Sequence, residues 1–572
     1  MNELIQQLVR FDGADVAAFR RLYTRPGYEY DYDGITIACS EIKRDTPEFM
    51  RITLGFSLDT LCIADPEFDI MTADYSLRLF AQQIDKEKYA TGKERYTGKI
   101  AVHEPGQKIL LRNSSYVKNN YLYISLMLRF PLKHGKIKSV ISGKASAKMI
   151  QKDLVRAIRN FLIAFDIADY EASALVYKKQ HEIRTTITSL GLIGFIANGS
   201  ILPRNEHGFA LPNAVLFQSP PEDEISLTFS DGSTLQGMGI KAGVTVITGS
   251  GYSGKSTLLD CLLHGIYDHI PGDGREYCIL QEKACKIIAE DGRCVTSLDI
   301  SPFMQDLKNL STQSFTTQHA SGSTSQAANI MEAISFGSKV MLIDEDRTAT
   351  NFMIRDARMK KIIKNDPIVP FTDRVRQIYH EAGVSTILVI GGSSEYLDLA
   401  DNVYMMQHYL ISNFNQHVEQ TRENAREFFS VKDSEPVSWG QSRTISMSDM
   451  STFRREGDGR IREFVSLNDD TVCVGTHVVN ISRLATVVSP EQAAAIAAII
   501  ARLFSMQEKK AQSLPERIVY IYNQIKQNGL DDIHKNTFDM DFNLELPAMH
   551  DVLFALVRLP KLDYKRSLPP RM

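Results

Sequence analysis

Long hydrophobic runs are missing from this sequence. No stretch approaches the roughly 18 uninterrupted apolar residues that a membrane helix requires. The most apolar segment, Ala493–Phe504, is too short, and it follows the helix-start pattern Ser489-Pro490-Glu491-Gln492. It reads as a buried or partner-facing helix, and no membrane role is expected. Cysteine is sparse and unpatterned: Cys39, Cys62, Cys261, Cys278, Cys285, Cys294 and Cys473 are seven in number and form no CxxC pair. A disulfide framework and a zinc site are therefore not expected, and reduced thiols point to the cytoplasm. The opening MNELIQQLVRFDG carries acidic residues and no apolar signal core, which agrees with that location. An excess of one charge is also lacking. The net charge of −4 gives the whole chain no polyanion-binding character, so any such surface must be local.

What is present is enough chain for two to four domains, since 572 residues exceed one ordinary core. The first part mixes β-rich runs, Ile52–Leu58 and Asn120–Phe130, with a helical pattern over Ala147–Phe165. From about Ile193 to Gln407 short apolar runs alternate with helices. Val244–Ile247, Val340–Ile343 and Thr386–Ile390 read as strands buried on both faces of a largely parallel sheet. The polar stretch Ser412–Ser451 reads as a linker or peripheral helix. Glu463–Ser482 reads as strands joined by an Asn-Asp-Asp turn, and helices are expected over Pro490–Phe504 and Pro515–Asn528. The expected architecture is an α/β P-loop core over 166–445, flanked by a basic α+β domain at 1–165 and a small α+β domain at 446–572.

The strongest chemical signal is GSGYSGKS, Gly249–Ser256, which satisfies GxxxxGK[ST] in full. It follows an apolar strand and opens a helix with Leu258, Leu259, Leu262, Leu263 and Ile266 on one face. Gly249, Gly251 and Gly254 let backbone N–H groups approach phosphate oxygens closely. The helix N-terminus adds partial positive charge. Lys255 supplies an ammonium for the β- and γ-phosphates, and the Ser256 hydroxyl can ligate Mg²⁺. Ser250, Tyr252, Ser253 and Thr257 complete the expected nucleotide-contacting stretch.

A second element is KVMLIDED, Lys339–Asp346, an apolar strand ending in carboxylates. Asp344 is placed to hold Mg²⁺ and Glu345 to orient and deprotonate the attacking water, the positioning that phosphoryl transfer needs. Between the two lies HASGSTSQAANIMEAISFG, His319–Gly337, whose Ser, Gly and Thr cluster precedes a helix. It fits an anion site at a helix N-terminus or an ordinary capped helix.

The order of loop, Ser-Gly-Ser before a helix, and strand ending Asp-Glu resembles the ABC ATPases. Longer strings narrow the resemblance: GIYDHIPGDGRE (Gly265–Glu276), AEDGR (Ala289–Arg293), DISPF (Asp299–Phe303), ASGSTSQAANIMEA (Ala320–Ala333), ATNFMIRD (Ala349–Asp356) and STILVIGGS (Ser385–Ser393). These resemble the family of predicted ATPases of the ABC class, densely over Ile183–Asp401 and more thinly on both flanks. The resemblance implies ATP and Mg²⁺ as ligands and a head-to-tail homodimer. In it, Ser321, Gly322 and Ser323 of one copy face the γ-phosphate held by the other. It places the D-loop position near Asn351, offers Gln305 for the glutamine loop, and makes Phe229 the candidate adenine-stacking aromatic. The switch histidine expected after the strand at 386–390 is absent; Gly391-Gly392-Ser393 stands there, and Ser393 can hydrogen-bond near the γ-phosphate but cannot carry a proton as an imidazole does. Arg347 fits a salt-bridge partner of the neighbouring carboxylates better than a phosphate sensor. GDGRE (Gly272–Glu276) fits either a turn or a contact loop near the nucleotide.

Charge is unevenly distributed. Between Lys86 and Arg159 seventeen Lys and Arg face four acids, a net of +13, with Tyr89, Tyr96, Tyr116, Tyr121, Tyr123 and Phe130 interleaved. Such a surface can track a phosphate backbone and stack bases, with Lys133, Lys136, Lys138, Lys144 and Lys148 as phosphate contacts for RNA or single-stranded nucleic acid. The same pattern also describes a solvated face over core aromatics. The expected function is a cytoplasmic Mg-ATP hydrolase coupled to a macromolecular client. The rivals are a transporter's nucleotide-binding subunit and a nucleic-acid-binding module that uses ATP as a slow switch or clamp.

Overall fold

The structure, a computed structural model, describes residues 2–15, 29–41, 49–63, 68–84, 98–134, 139–307, 310–355, 359, 362–363, 365–421, 436–440, 443–445, 463–466, 470–474, 477–506, 513–534, 543–560 and 564–566. The chain forms two compact units. One contains Met1–Tyr177 and Asn523–Leu546, the other Lys178–Tyr522 and Pro547–Met572.

The first unit is built on a six-stranded antiparallel sheet. Its strands are β1 (Glu29–Tyr32), β2 (Ile35–Glu41), β3 (Phe49–Ser57), β4 (Lys99–Val102), β5 (Ser115–Lys118) and β6 (Tyr121–Arg129), in the order β1-β2-β3-β6-β4 with β5 also on β6. Period-two alternation sends Met50, Ile52, Leu54 and Phe56 of β3 to one face, opposite Leu128, Leu126, Ile124 and Leu122 of β6. All eight are fully buried. Helices α1 (Asp69–Gln82) and α3 (Val155–Ala164) pack on that face, and α2 (Gly143–Met149) precedes α3 in the chain. Phe161 of α3 packs 5.1 Å from Phe56 and 5.6 Å from Phe80 of α1. The helix expected over Ala147–Phe165 begins earlier, and a π-helical turn at Ile150–Leu154 divides it.

On the other face the polar side chains are tied down. The buried Arg51 donates to Asp531 Oδ2 at 2.9 Å, to the Asn113 carbonyl at 2.8 Å and to Ser125 Oγ at 3.0 Å. Arg112 donates to Glu545 at 2.6 Å and also pairs with Asp74. A buried guanidinium needs such counter-charges, and two of them, Asp531 and Glu545, come from more than four hundred positions away. That is why Asn523–Leu546 belongs to this unit. Tyr116 stacks on Tyr123 at 4.9 Å and Phe130 is fully buried, so these aromatics of the basic region pack against protein. Tyr121 remains partly exposed, and Tyr89 and Tyr96 lie outside the described residues.

A long helix, α4 (Ile167–Ser189), leads into the second unit. There a four-stranded antiparallel sheet has the order β8-β9-β7-β11, from β7 (Leu192–Ala197), β8 (Glu224–Thr228), β9 (Thr234–Lys241) and β11 (Cys278–Leu280). Between β9 and β11 in the chain come β10 (Val244–Gly249) and α5 (Lys255–His264). The main sheet follows with β12 (Ala284–Ile287), α6 (Gly322–Ser335), β13 (Val340–Asp344), β14 (Ser385–Val389), β15 (Asn402–Gln407) and β16 (Leu410–Asn413). Its order is β12-β13-β14-β10-β15-β16, parallel throughout except for the final antiparallel pair. β13 and β14 are buried at every position, as strands covered on both faces must be. Because all parallel strands point the same way, Gly249, Asp344 and Val389 end along one edge, where open α/β sheets bind their ligands.

The stretch expected as linker contains the end of β16, a helix over Asn415–Thr421 and a short strand at Arg443–Ile445; 422–435 lie outside the described residues. Strands β17 (Glu463–Ser466), β18 (Thr471–Val474) and β19 (His477–Asn480) form an antiparallel meander. Helices α7 (Pro490–Ser505), α8 (Leu514–Asn528) and α9 (Met549–Val557) follow, with Ser489 capping α7 by accepting from Gln492 N. Among the described residues no helix is long and apolar enough to cross a membrane.

Candidate functional site

The loop between β10 and α5 is shaped by two glycines. Gly249 has φ 145°, and a Cβ there would lie 2.3 Å from the Met406 carbonyl oxygen. Gly254, the residue before α5, has φ 102°, and its Cβ would strike the Tyr409 ring at 2.7 Å. No L side chain suits either position. With the turn so formed, the amide N–H groups of Gly251 to Lys255 donate to no protein acceptor among the described residues. They converge at the N-terminus of α5, a cradle suited to an anion. The Lys255 ammonium folds over the loop, donating to the carbonyls of Gly249 at 2.6 Å and Ser250 at 2.7 Å. Tyr252 projects fully into solvent with φ 59°, while Ser253 is buried and its carbonyl accepts from Tyr409 N.

The end of β13 closes on the start of α5. Ser256 Oγ donates to Asp344 Oδ2 at 3.1 Å, and the other Asp344 oxygen accepts from Asp346 N at 3.3 Å. A hydroxyl beside a nearly buried carboxylate is a hard, all-oxygen donor pair. That fits Mg²⁺, which takes one or two protein ligands and fills its octahedron with waters and phosphate oxygens. Among the described residues no group of three or more His, Cys, Asp or Glu forms a protein-only metal cage.

One residue on, the Glu345 carboxylate is held by the loop after β14. Oε2 accepts from Gly391 N at 2.6 Å and Gly392 N at 3.2 Å, and Oε1 accepts from Ser393 Oγ. Three donors aimed at one carboxylate fix its orientation. Thus Ser393 touches Glu345 in the place where a switch histidine was expected.

Ser321 caps α6, its side chain accepting from Thr324 N, and it is exposed. Gly322 and Ser323 lie beside it, partly exposed. A Cβ on Gly322 would meet Asp291 Oδ1 at 3.2 Å, so the residue also fits a close approach. Asn351 is exposed in a short helix, Thr350–Met353, and accepts from Arg355 at 3.1 Å.

Two candidates are not brought to this edge. Phe229 is buried in the cluster of Ile183, Ile187, Phe195 and Ile279, with the Lys179 ammonium 5.1 Å from its ring centroid. Its face is engaged in packing and is not presented for stacking. Gln305 is exposed on a loop where its backbone N–H donates to the Pro367 carbonyl at 2.8 Å, and among the described residues no hydrogen bond joins it to the phosphate loop. Arg347 is exposed and makes no ion pair among the described residues, contrary to the expected salt bridge.

The undecided GDGRE segment is an internal brace. The buried Arg275 joins Asp260 of α5 at 3.0 Å to the Leu202 carbonyl at 2.9 Å, and the buried Asp273 receives Arg204 at 2.9 Å and His269 at 2.6 Å. Sequence reasoning missed a polar stripe on α6. Gln326, Asn329 and Glu332, spaced by three, are all buried, and Gln326 Oε1 accepts from Ala349 N at 2.9 Å. The available signal was three hydrogen-bonding side chains on one flank of an otherwise Ala- and Ile-rich helix.

Known proteins resemble this chain in three consecutive segments. A family model described as an ABC_ATPase P-loop domain matches residues 166–443. One for the N-terminal region of ATPases of the ABC class matches 1–164, and one for the MRB1590 C-terminal domain matches 465–565. The uncharacterized protein MJ1628 of Methanocaldococcus jannaschii is 30% identical over 311 residues, covering 51% of this chain and 66% of that protein, a little under two thirds of its length. Among solved structures, cbiO1 of Clostridium perfringens, part of the ABC transporter complex cbiONQ, is 17% identical with a TM-score of 0.25, over 36% of this chain and 92% of its own. MJ1267, an ATP-binding cassette of an ABC transporter in its ADP conformation, is 13% identical with a TM-score of 0.23, over 36% and 94% respectively. With the P-loop and N-terminal models together spanning most of its length, the chain belongs to the ATPases of the ABC class.

Proposed function

We propose that this protein hydrolyses Mg-ATP between two head-to-tail copies of itself. The observation that carries the reading is the contact of Ser256 with Asp344, followed directly by a Glu345 carboxylate oriented by three donors. Backbone amides of Gly249–Thr257 and the Lys255 ammonium bind the phosphates. Ser256 and Asp344 hold Mg²⁺, which when bound neutralises charge on the β- and γ-phosphates. Glu345 accepts a proton from the attacking water, and Ser393 with the two glycine amides keeps its carboxylate aimed. The exposed N-terminus of α6, with Ser321, Gly322 and Ser323, faces the γ-phosphate of the partner copy; Asn351 lies at the same junction.

Sedimentation of the hydrolysis-deficient Glu345→Gln protein tests the shared site. Mg-ATP is expected to convert monomer to dimer, and Ser321→Ala in the otherwise native protein should lower kcat at least about tenfold while ATP affinity is kept. A native rate in Ser321→Ala, or a monomer at every ATP concentration, rejects the composite site.

A second reading concerns the client. Lys144 and Lys148 are exposed one turn apart on α2, and the carboxylate of Asp12 binds both the Lys133 ammonium at 3.1 Å and Lys144 N at 3.3 Å. Lys136 and Lys138 lie outside the described residues. This grouping supports a phosphate-tracking surface for RNA or another single strand. Fluorescence anisotropy with a labelled single-stranded oligonucleotide should show affinity falling steeply with salt. Replacing Lys144 and Lys148 by Ala should flatten the logarithmic slope by about 1.4. An unchanged slope removes these lysines as phosphate contacts.

A further inference from the structure

The α6 helix carries Ser321–Ser323 at its N-terminus and a buried polar stripe along its flank, and that stripe is wired to the far end of the chain. Glu332 receives Arg293 at 2.8 Å and Arg443 at 3.0 Å. Asn329 donates to the Ile288 carbonyl at 2.9 Å and to Glu290 Oε1 at 3.0 Å, and its oxygen accepts from Arg293 and, at 3.1 Å, from Arg558. Arg558 follows directly on α9. Its Nε meets Glu290 Oε2 at 3.1 Å, Nη2 meets Glu290 Oε1, and Nη1 donates back to the Phe554 carbonyl at 2.7 Å. Burial alone would raise the Glu290 carboxyl, but the charge and hydrogen bond of Arg558, with the Arg293 charge and the Asn329 amide, together outweigh it and hold that group at about 2.

The loop that carries Glu290 also frames the α6 N-terminus. Glu290 N donates to Ser325 Oγ at 2.9 Å, Gly292 N to the Ala320 carbonyl at 2.8 Å, and Ala320 N to the Arg293 carbonyl at 2.9 Å. Ala320 immediately precedes Ser321. A guanidinium that grips both this loop and Asn329 therefore fixes the helix end against its own support, with a planar fork that lysine cannot reproduce.

We infer that Arg558 is a positioning residue for the α6 N-terminus, and that through it the position of α9 is transmitted to Ser321–Ser323. The coupling to turnover rests on the ATPase reading above; the positioning itself does not.

Removing Arg558 alone leaves Glu290 buried without its counter-charge, which is strongly destabilising. The test therefore uses Arg558→Met combined with Glu290→Gln, and separately Asn329→Leu, which cuts the link to α6 while keeping the Arg558–Glu290 pair. Hydrogen exchange of the peptide spanning Ala320–Ser325 is expected to speed up at least about tenfold in both, with the Gly249–Ser256 peptide unchanged. In the same proteins kcat should fall about tenfold while the Kd of a fluorescent ATP analogue stays within about twofold. Arg558→Lys should fall between. Native exchange at Ala320–Ser325 in Asn329→Leu overturns the inference, whether or not the double variant folds. Faster exchange with a native kcat overturns the coupling. A native protein without turnover rejects the ATPase reading, while the exchange result still decides the positioning.

Discussion

Glu345→Gln is expected to reduce steady-state ATP turnover by about 10²–10³-fold while ATP binding stays within about threefold of native. The amide is isosteric and its oxygen can still accept from Gly391 N and Gly392 N, while its NH₂ can donate to Ser393 Oγ. The loop after β14 therefore keeps its shape. What disappears is the oxygen proposed to take the water proton, together with a negative charge beside the Ser256–Asp344 pair. Phosphate-release kinetics and fluorescent-nucleotide binding read the two effects separately. Equal turnover in native and substituted proteins would mean that Glu345 is not the base. The missing histidine bears on the same measurement. In the proposed reaction a serine and two amides orient the carboxylate, and none of these groups carries a proton at neutral pH as an imidazole does.

Lys255→Ala is expected to act one step earlier, weakening ATP about 100-fold or more in titration calorimetry. The ammonium lies within 2.7 Å of two loop carbonyls, which leaves it one further N–H to donate. Charge-assisted bonds to phosphate are each worth about 1.5–3 kcal/mol, so losing the contacts to two phosphates accounts for the factor. Adenosine, which lacks phosphates, should bind the native and substituted proteins alike. If ATP affinity is unchanged, the loop is not the phosphate site. The two substitutions thus separate binding from chemistry: one lowers affinity, the other turnover.

Much of this site is legible from local sequence because its chemistry is local. The phosphate loop needs glycines at particular backbone angles, a lysine and a hydroxyl, all within eight residues, so Gly249–Ser256 declares itself. The parallel strands at 244, 340 and 386 are legible for a similar reason, since burial on both faces demands continuous apolar runs. Placement of aromatics is not local. Phe229 and Tyr116 are chemically suited to stacking on bases, but neighbours distant in sequence decide whether a ring faces a ligand or a core.

By itself the sequence determined that an ATP-binding loop sits between a buried strand and a helix, that carboxylates follow on a second strand, and that no histidine accompanies them. Only the tertiary structure decided that Gly391, Gly392 and Ser393 hold Glu345, that GDGRE braces α5, and that Arg558 meets Asn329 across 229 positions of chain. The physical reason is that a buried charge must find a partner wherever the fold supplies one. Pairing of that kind depends on distance in space and leaves no spacing pattern along the chain.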